Sequence, residues 1–159
     1  MVDFLKNLSF GITFKKRNIY WMKKLVFIID DDPVYLNFMK GHFKQMAEFE
    51  TQVFLSGKDA IKALDETKPY LIILDHLFLN DPDNTGLEYL KQIRKKASRV
   101  PVIYITAVNE QILRKQVAKK KVLDYILKDD AFLIHLRTAM DTLTDQPKKK
   151  GLLKKLFGK

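Results

Sequence analysis

Five short apolar runs, LVFII, TQVFL, YLIIL, VIYI and DYIL, alternate along the chain with segments whose apolar residues fall at helical spacing. Several of the runs are apolar on both faces, as parallel strands covered by helices on both sides must be. The helical stripes are Leu36, Met39, Phe43 and Met46; Ala60, Ile61 and Leu64; Leu87, Leu90 and Ile93; Leu113 and Val117; and Phe132, Leu133, Leu136, Met140 and Leu143. Their spacing predicts core-facing helices rather than a cofactor box. Five strands alternating with five helices predict an open, doubly wound α/β sheet. In such a sheet ligands bind beyond the carboxyl ends of the strands, where strand order reverses.

Polar residues converge on that edge. The first predicted strand ends at Asp30, the third at Asp75, the fourth at Thr106 and the fifth at Lys128. In FIIDDDPVY, three carboxylates stand side by side in a chain of net charge +10. Neighbouring carboxylates raise one another's pKa and cost free energy in an empty site, so a cation is expected there. Asp32 has a separate local explanation, because Asp followed by Pro33 is a good N-cap and first-turn pair. Asp30, Asp31 and Asp75 offer the hard oxygen ligands that Mg²⁺ prefers. Lys128 would bring positive charge to the oxygens of a phosphoryl group and Thr106 a hydroxyl donor. Transfer of that group depends mostly on positioning and charge stabilisation.

A chain of 159 residues fits one domain with a full core. We place that domain at residues 23–144, between an N-terminal extension at 1–22 and a basic amphipathic tail at 145–159. Cysteine is absent, which excludes disulfides and thiolate metal sites and fits a reducing compartment. No apolar run approaches the length of a spanning helix, and the start carries no clear cleavage signal, so a cytoplasmic protein is expected. The internal lysine and arginine clusters read as solvated surface.

Taken in order, the acidic pair Asp30 and Asp31, the strand-ending Asp75, Thr106-Ala107 and Lys128 resemble the receiver domain of two-component response regulators. The resemblance covers roughly Lys24 to Leu143. It implies a flavodoxin-like sheet of strand order 2-1-3-4-5 and a signalling switch that promotes only its own phosphotransfer and dephosphorylation. Asp75 would accept a phosphoryl group from a histidine kinase or phosphotransfer protein. Mg²⁺ would be held by Asp30, Asp31, Asp75 and the backbone carbonyl of Leu77. Thr106 and Tyr125 would form the switch pair, with Tyr125 turning into space that Thr106 vacates, and the face around the fourth helix and fifth strand would meet an unknown downstream protein. Tyr125 also reads as a half-buried sheet tyrosine with a hydrated hydroxyl.

The chain departs from the family in two places. Asp129 stands where many receivers carry a proline after the lysine, and HLFLNDPDNTG after Asp75 is longer than usual, with acids that could perturb metal affinity or partner choice. In receivers, the side chains two places after the phosphoacceptor and two places after the threonine stand near the path of the hydrolytic water. Here they are Leu77 and Val108, which can exclude water but not orient it. A longer loop could instead carry Leu77 away.

Other readings compete. Asp30 and Asp32 also fit the Asp-x-Asp of haloacid-dehalogenase-like phosphatases as nucleophile and general acid, with Thr106, Lys128, Asp129 and Asp130 as later motifs, but Asp75 is then unexplained. A regulator with a DNA-binding output is disfavoured because TDQPKKKGLLKKLFGK is too short for a helix-turn-helix unit, so no specific nucleic acid partner is expected. Leu152, Leu153, Leu156 and Phe157 lie on one helical face opposite Lys154, Lys155 and Lys159, which suggests contact with an anionic membrane or a partner groove. His42 and His135 read as structural or surface residues, and His76 as lining the site mouth.

Overall fold

Strands that are apolar on both faces need cover on both sides, and a parallel sheet between two helical layers supplies it. The computed structural model describes residues 23–144; the extension and tail expected at 1–22 and 145–159 lie outside the described residues. The strands are β1 (Lys24–Ile29), β2 (Phe49–Phe54), β3 (Leu71–Asp75), β4 (Val102–Thr106) and β5 (Asp124–Leu127). They run in the order β2-β1-β3-β4-β5, as expected. The helices α1 (Pro33–Lys44), α2 (Gly57–Ala63), α3 (Gly86–Lys96), α4 (Gln111–Ala118) and α5 (Phe132–Thr144) alternate with them. No helix among the described residues is long and apolar enough to cross a membrane.

The two-residue period of each strand divides the core. Phe27, Ile29, Ile72, Leu74, Val102 and Tyr104 pack against α2, α3 and α4 on one side. Val26, Ile28, Leu71, Ile73, Ile103 and Ile105 pack against α1 and α5 on the other. Each such side chain, fully withdrawn from water, contributes roughly 1.5–3 kcal/mol. The register aligns Ile29 with Leu74, and Asp75 with Ile105, so the polar residues that follow the strands emerge at one level.

Element ends differ in detail from the sequence reading. β2 begins at Phe49 rather than Thr51, because buried Phe49 packs into the core, while Leu55 lies beyond the strand and is exposed. Helix α1 ends at Lys44, so Met46 joins the core from the following turn instead of the helical stripe. Leu64 is the C-cap of α2, and Leu87 is only partly buried. The α3 stripe omitted Tyr89, whose ring is fully buried against Phe78. His42 is half-buried and His135 exposed, and neither joins a potential metal cluster among the described residues.

The turn from α4 to β5 carries a local strain. Lys121 has φ 54°, in the left-handed region that non-glycine residues enter at a cost of about 1–2 kcal/mol. Arg94 compensates: its guanidinium donates to the carbonyls of Val100, Lys120 and Lys121 at 2.7, 3.1 and 2.9 Å. Lys121→Gly should raise stability by about 0.5 kcal/mol, the relieved strain being partly offset by the greater backbone entropy of glycine in the unfolded chain. Lys121→Val should lower stability, since β-branching worsens the same conformation. Urea unfolding of the two variants checks both signs.

Candidate functional site

The carboxyl edge of the sheet brings five sequence-predicted residues together. Asp30 follows β1, and its N–H donates to the Phe54 carbonyl at 3.0 Å, which fixes its backbone to β2. Asp75 ends β3, and Thr106 ends β4. Lys128 follows β5, its N–H donating to the Thr106 carbonyl at 2.8 Å. Its Nζ lies 2.7 Å from Asp30 Oδ2 and 2.7 Å from Asp75 Oδ1. Asp30 and Asp75 are both buried.

Two carboxylates against one ammonium leave an excess of negative charge. Burial pushes the Asp30 carboxyl up to about 6; Asp75 adds to the rise, and Lys128 opposes it. Burial alone would lower the Lys128 ammonium, but Asp75 and Asp30 hold it above its ordinary value. Asp31 stands at the cleft edge, its Oδ2 accepting the N–H groups of Leu79 and Asn80 at 2.6 and 3.3 Å. One carboxylate oxygen from each of Asp30, Asp31 and Asp75 lies within 4.8 Å of the others. Three convergent hard oxygens with uncompensated charge fit a small divalent cation such as Mg²⁺.

Asp32 does what its local sequence predicts. Its Oδ1 accepts the Val34 N–H at 2.8 Å as the N-cap of α1, with Pro33 in the first turn. Asp129, in place of proline, forms a turn in which its Oδ1 accepts the Ala131 N–H at 3.0 Å.

The loop after Asp75 stays at the site. Leu77 N–H donates to Asp75 Oδ2 at 2.8 Å, and Leu77 and Leu79 line the cleft with the acids, Ala107 and Lys128. The extra loop acid Asp81 points elsewhere, accepting hydrogen bonds from Tyr89 Oη and Asn84, and pairing with Lys58 at 2.9 Å. Gly86 lets α3 start against β3: a Cβ there would stand 2.1 Å from the Asp75 carbonyl.

Thr106 is fully buried, and its Oγ1 accepts the Val108 N–H at 2.9 Å, while neighbouring Ala107 lines the cleft. Tyr125 Oη donates to the Val108 carbonyl at 2.9 Å, so that hydroxyl has a protein partner. Its ring stacks on Tyr104, centroids 6.1 Å apart, and Arg114 covers it at 4.9 Å. His76, expected at the site mouth, is not among the residues that line the cleft: its Nδ1 lies 2.6 Å from Tyr104 Oη, and burial holds its imidazole below the usual range despite nearby Asp75. The sequence reading missed Tyr104, although it lies two residues before Thr106 and so shares its strand face. It also missed Tyr35, which forms an i, i+3 aromatic pair with Phe38 beside the recognised α1 stripe.

This fold and this edge define a receiver. The model of the response regulator receiver domain matches residues 26–137, and the chain belongs to that family. It is 30% identical over 108 residues to the probable C4-dicarboxylate response regulator DctR of Halalkalibacterium halodurans, covering 67% of this chain and 46% of that protein. It is 31% identical over 105 residues to the chemotaxis protein CheY of Listeria monocytogenes, covering 65% of this chain and 86% of CheY. The chain thus spans less than half of the first relative and most of the second. The structure of the response regulator TrrA from Thermotoga maritima in complex with Mg²⁺ and BeF superposes with a TM-score of 0.64 at 25% identity, over 76% of this chain and 98% of that one. Membership in the receiver family sets aside the phosphatase reading, and the capping role of Asp32 agrees.

The burial of Asp30 beside Asp75 has a measurable consequence. A carboxyl raised from 3.8 to about 6 binds its proton more tightly in the folded protein than in the unfolded chain. Its stabilising contribution is complete below 3.8 and is lost as pH rises through about 6. Without divalent metal at neutral pH, Asp30→Asn should therefore be more stable than the parent, by on the order of 2 kcal/mol. The difference should shrink toward low pH, and denaturant unfolding in chelator across that range checks it.

Proposed function

We propose that this chain is a phosphorelay receiver whose Asp75 accepts a phosphoryl group from a histidine kinase or phosphotransfer protein and which signals through protein contacts. One observation carries the reading: Asp75 lies at the bottom of a cleft, bonded to Lys128 at 2.7 Å and facing the acidic pair. A carboxylate oxygen of Asp75 attacks phosphorus, forming an acyl phosphate as the donor's phosphorus–nitrogen bond breaks and its electron pair returns to the imidazole. Lys128 draws the phosphoryl oxygens toward its ammonium, and Thr106 turns its hydroxyl from Val108 N–H to donate to another oxygen. Asp30, Asp31, Asp75 and the Leu77 carbonyl are the groups that would hold Mg²⁺, which when bound offsets the charge of carboxylates and phosphoryl oxygens.

Thr106 and Tyr125 are the proposed switch pair. Both are tied to Val108, one through its N–H and the other through its carbonyl, so movement of Thr106 releases the segment that holds Tyr125. A bias of a few kcal/mol is enough to shift such an equilibrium. Membrane contact by the basic C-terminal segment is a further part of the proposal and rests on its sequence pattern alone.

Incubation with acetyl phosphate and Mg²⁺ should add one phosphoryl group by intact mass, lost in Asp75→Asn and on chelation. Labelling that survives Asp75→Asn would overturn the assignment.

Leu77 at the cleft and Val108 beside Thr106 cannot orient a water for attack on the acyl phosphate. The phosphorylated state should therefore be long-lived, and Leu77→Asn and Val108→Glu should each speed its decay, by about tenfold when combined. Following decay by intact mass tests this, and unchanged loss in all three variants would refute it.

A further inference from the structure

Lys128 is held on three sides, and only two of them are carboxylates. Asp30 and Asp75 each bond its Nζ at 2.7 Å. The third side faces the ring of Tyr35, whose centroid lies 4.2 Å away. A lysine ammonium has three donors, so the ring takes the position that a third anion or water would otherwise fill. The attraction between an ammonium and an aromatic face grows as water is excluded, and the Lys128 side chain is only 17% exposed.

The ring is itself fixed from two elements. Tyr35 sits in the first turn of α1, two residues after Pro33. It packs edge-on to Phe132 of α5 at 5.6 Å and tilted against Phe38 at 5.8 Å. Its hydroxyl is buried without a hydrogen-bond partner. An unpaired buried phenol is a cost to the fold, so the hydroxyl does not explain the presence of an aromatic residue here. The ring's contacts remain: its packing against Phe132 and Phe38, and its face toward Lys128.

We propose that Tyr35 is a positioning residue for phosphoryl transfer to Asp75, its ring face holding the Lys128 ammonium level with the reacting carboxylate. The inference rests on the reading of Asp75 as phosphoacceptor. When Asp75 forms an acyl phosphate, its bonded oxygen loses much of its negative charge, and Lys128 must redirect a hydrogen bond to a phosphoryl oxygen. An anionic third partner would compete for the ammonium during that exchange. A neutral π face keeps it in place without competing.

The test uses the full chain, with Tyr35→Phe and Tyr35→Leu made in the parent and in Lys128→Met, and initial phosphorylation by acetyl phosphate with Mg²⁺ followed by intact mass. Tyr35→Leu should slow phosphorylation about tenfold, while Tyr35→Phe restores it to within about twofold of the parent and melts no lower. In Lys128→Met, Tyr35→Leu should cause no further loss. Proton NMR gives a second measurement independent of rate: the Lys128 methylene next to Nζ should show an upfield ring-current shift in the parent and Tyr35→Phe that disappears in Tyr35→Leu. Equal slowing by Tyr35→Leu in both backgrounds, Tyr35→Phe as slow as Tyr35→Leu, or absence of the ring-current shift in the parent would each overturn the proposal. A parent that takes up no phosphoryl group overturns the proposed function and this inference with it. A phosphorylated parent matched in rate by Tyr35→Leu overturns the positioning role alone.

Discussion

Lys128 reaches from the end of β5 to carboxylates at the ends of β1 and β3, and its backbone N–H bonds the last residue of β4. Four of the five strands are therefore tied at one point by charge and hydrogen bonding. Breaking such a buried arrangement by removing the ammonium would leave two carboxylates facing each other in a poorly solvated cleft, a loss of about 3–5 kcal/mol for a comparable pair. The same arrangement cannot neutralise itself, and the Asp30 pKa is raised first by burial and then by Asp75, against the opposing pull of Lys128. A site that is stable enough to fold yet one positive charge short is suited to an incoming cation and the group it accompanies.

The surroundings serve that point mainly through backbone groups. The β3–α3 loop turns the N–H of Leu77 toward Asp75 and those of Leu79 and Asn80 toward Asp31, so the acids are oriented before any ligand arrives. The loop in turn is anchored away from the cleft by buried Phe78 and by the bonds of Asp81 to Tyr89, Asn84 and Lys58. The added acid Asp81, which could have crowded the acidic cluster, is thereby spent on holding the loop. Gly86 permits α3 to begin close to β3, where any side chain would strike the Asp75 carbonyl.

On the far side of Thr106 lies a column of rings rather than a gap. His76 bonds Tyr104, Tyr104 stacks on Tyr125, and Arg114 of α4 covers Tyr125. This column runs from the residue after Asp75 to the α4 surface. Val108 joins it to Thr106 through the two faces of a single peptide segment. Family resemblance supplies the Thr106 and Tyr125 pair; the contacts of Tyr104 with His76 and with Tyr125 are seen in the structure.

The sequence by itself determined the sheet, its layers and the five groups at its edge. Strand and helix periods are local properties, and a polar residue ending an apolar run marks the strand end whatever its neighbours do. Asp32 as a cap was legible for the same reason, since Asp, Pro and the first helical N–H groups are adjacent in the chain. Only the tertiary structure decided that Tyr35 faces Lys128, that Tyr104 meets His76, that Asp81 turns from the acidic cluster to Tyr89, and that the Thr106 hydroxyl points at Val108. Each depends on the direction of a side chain toward a partner set by packing, as when Lys128 meets Asp30 across a separation of 98 residues. Periodicity names the face on which a residue lies. The choice of partner on that face is made by shape and charge once the layers close.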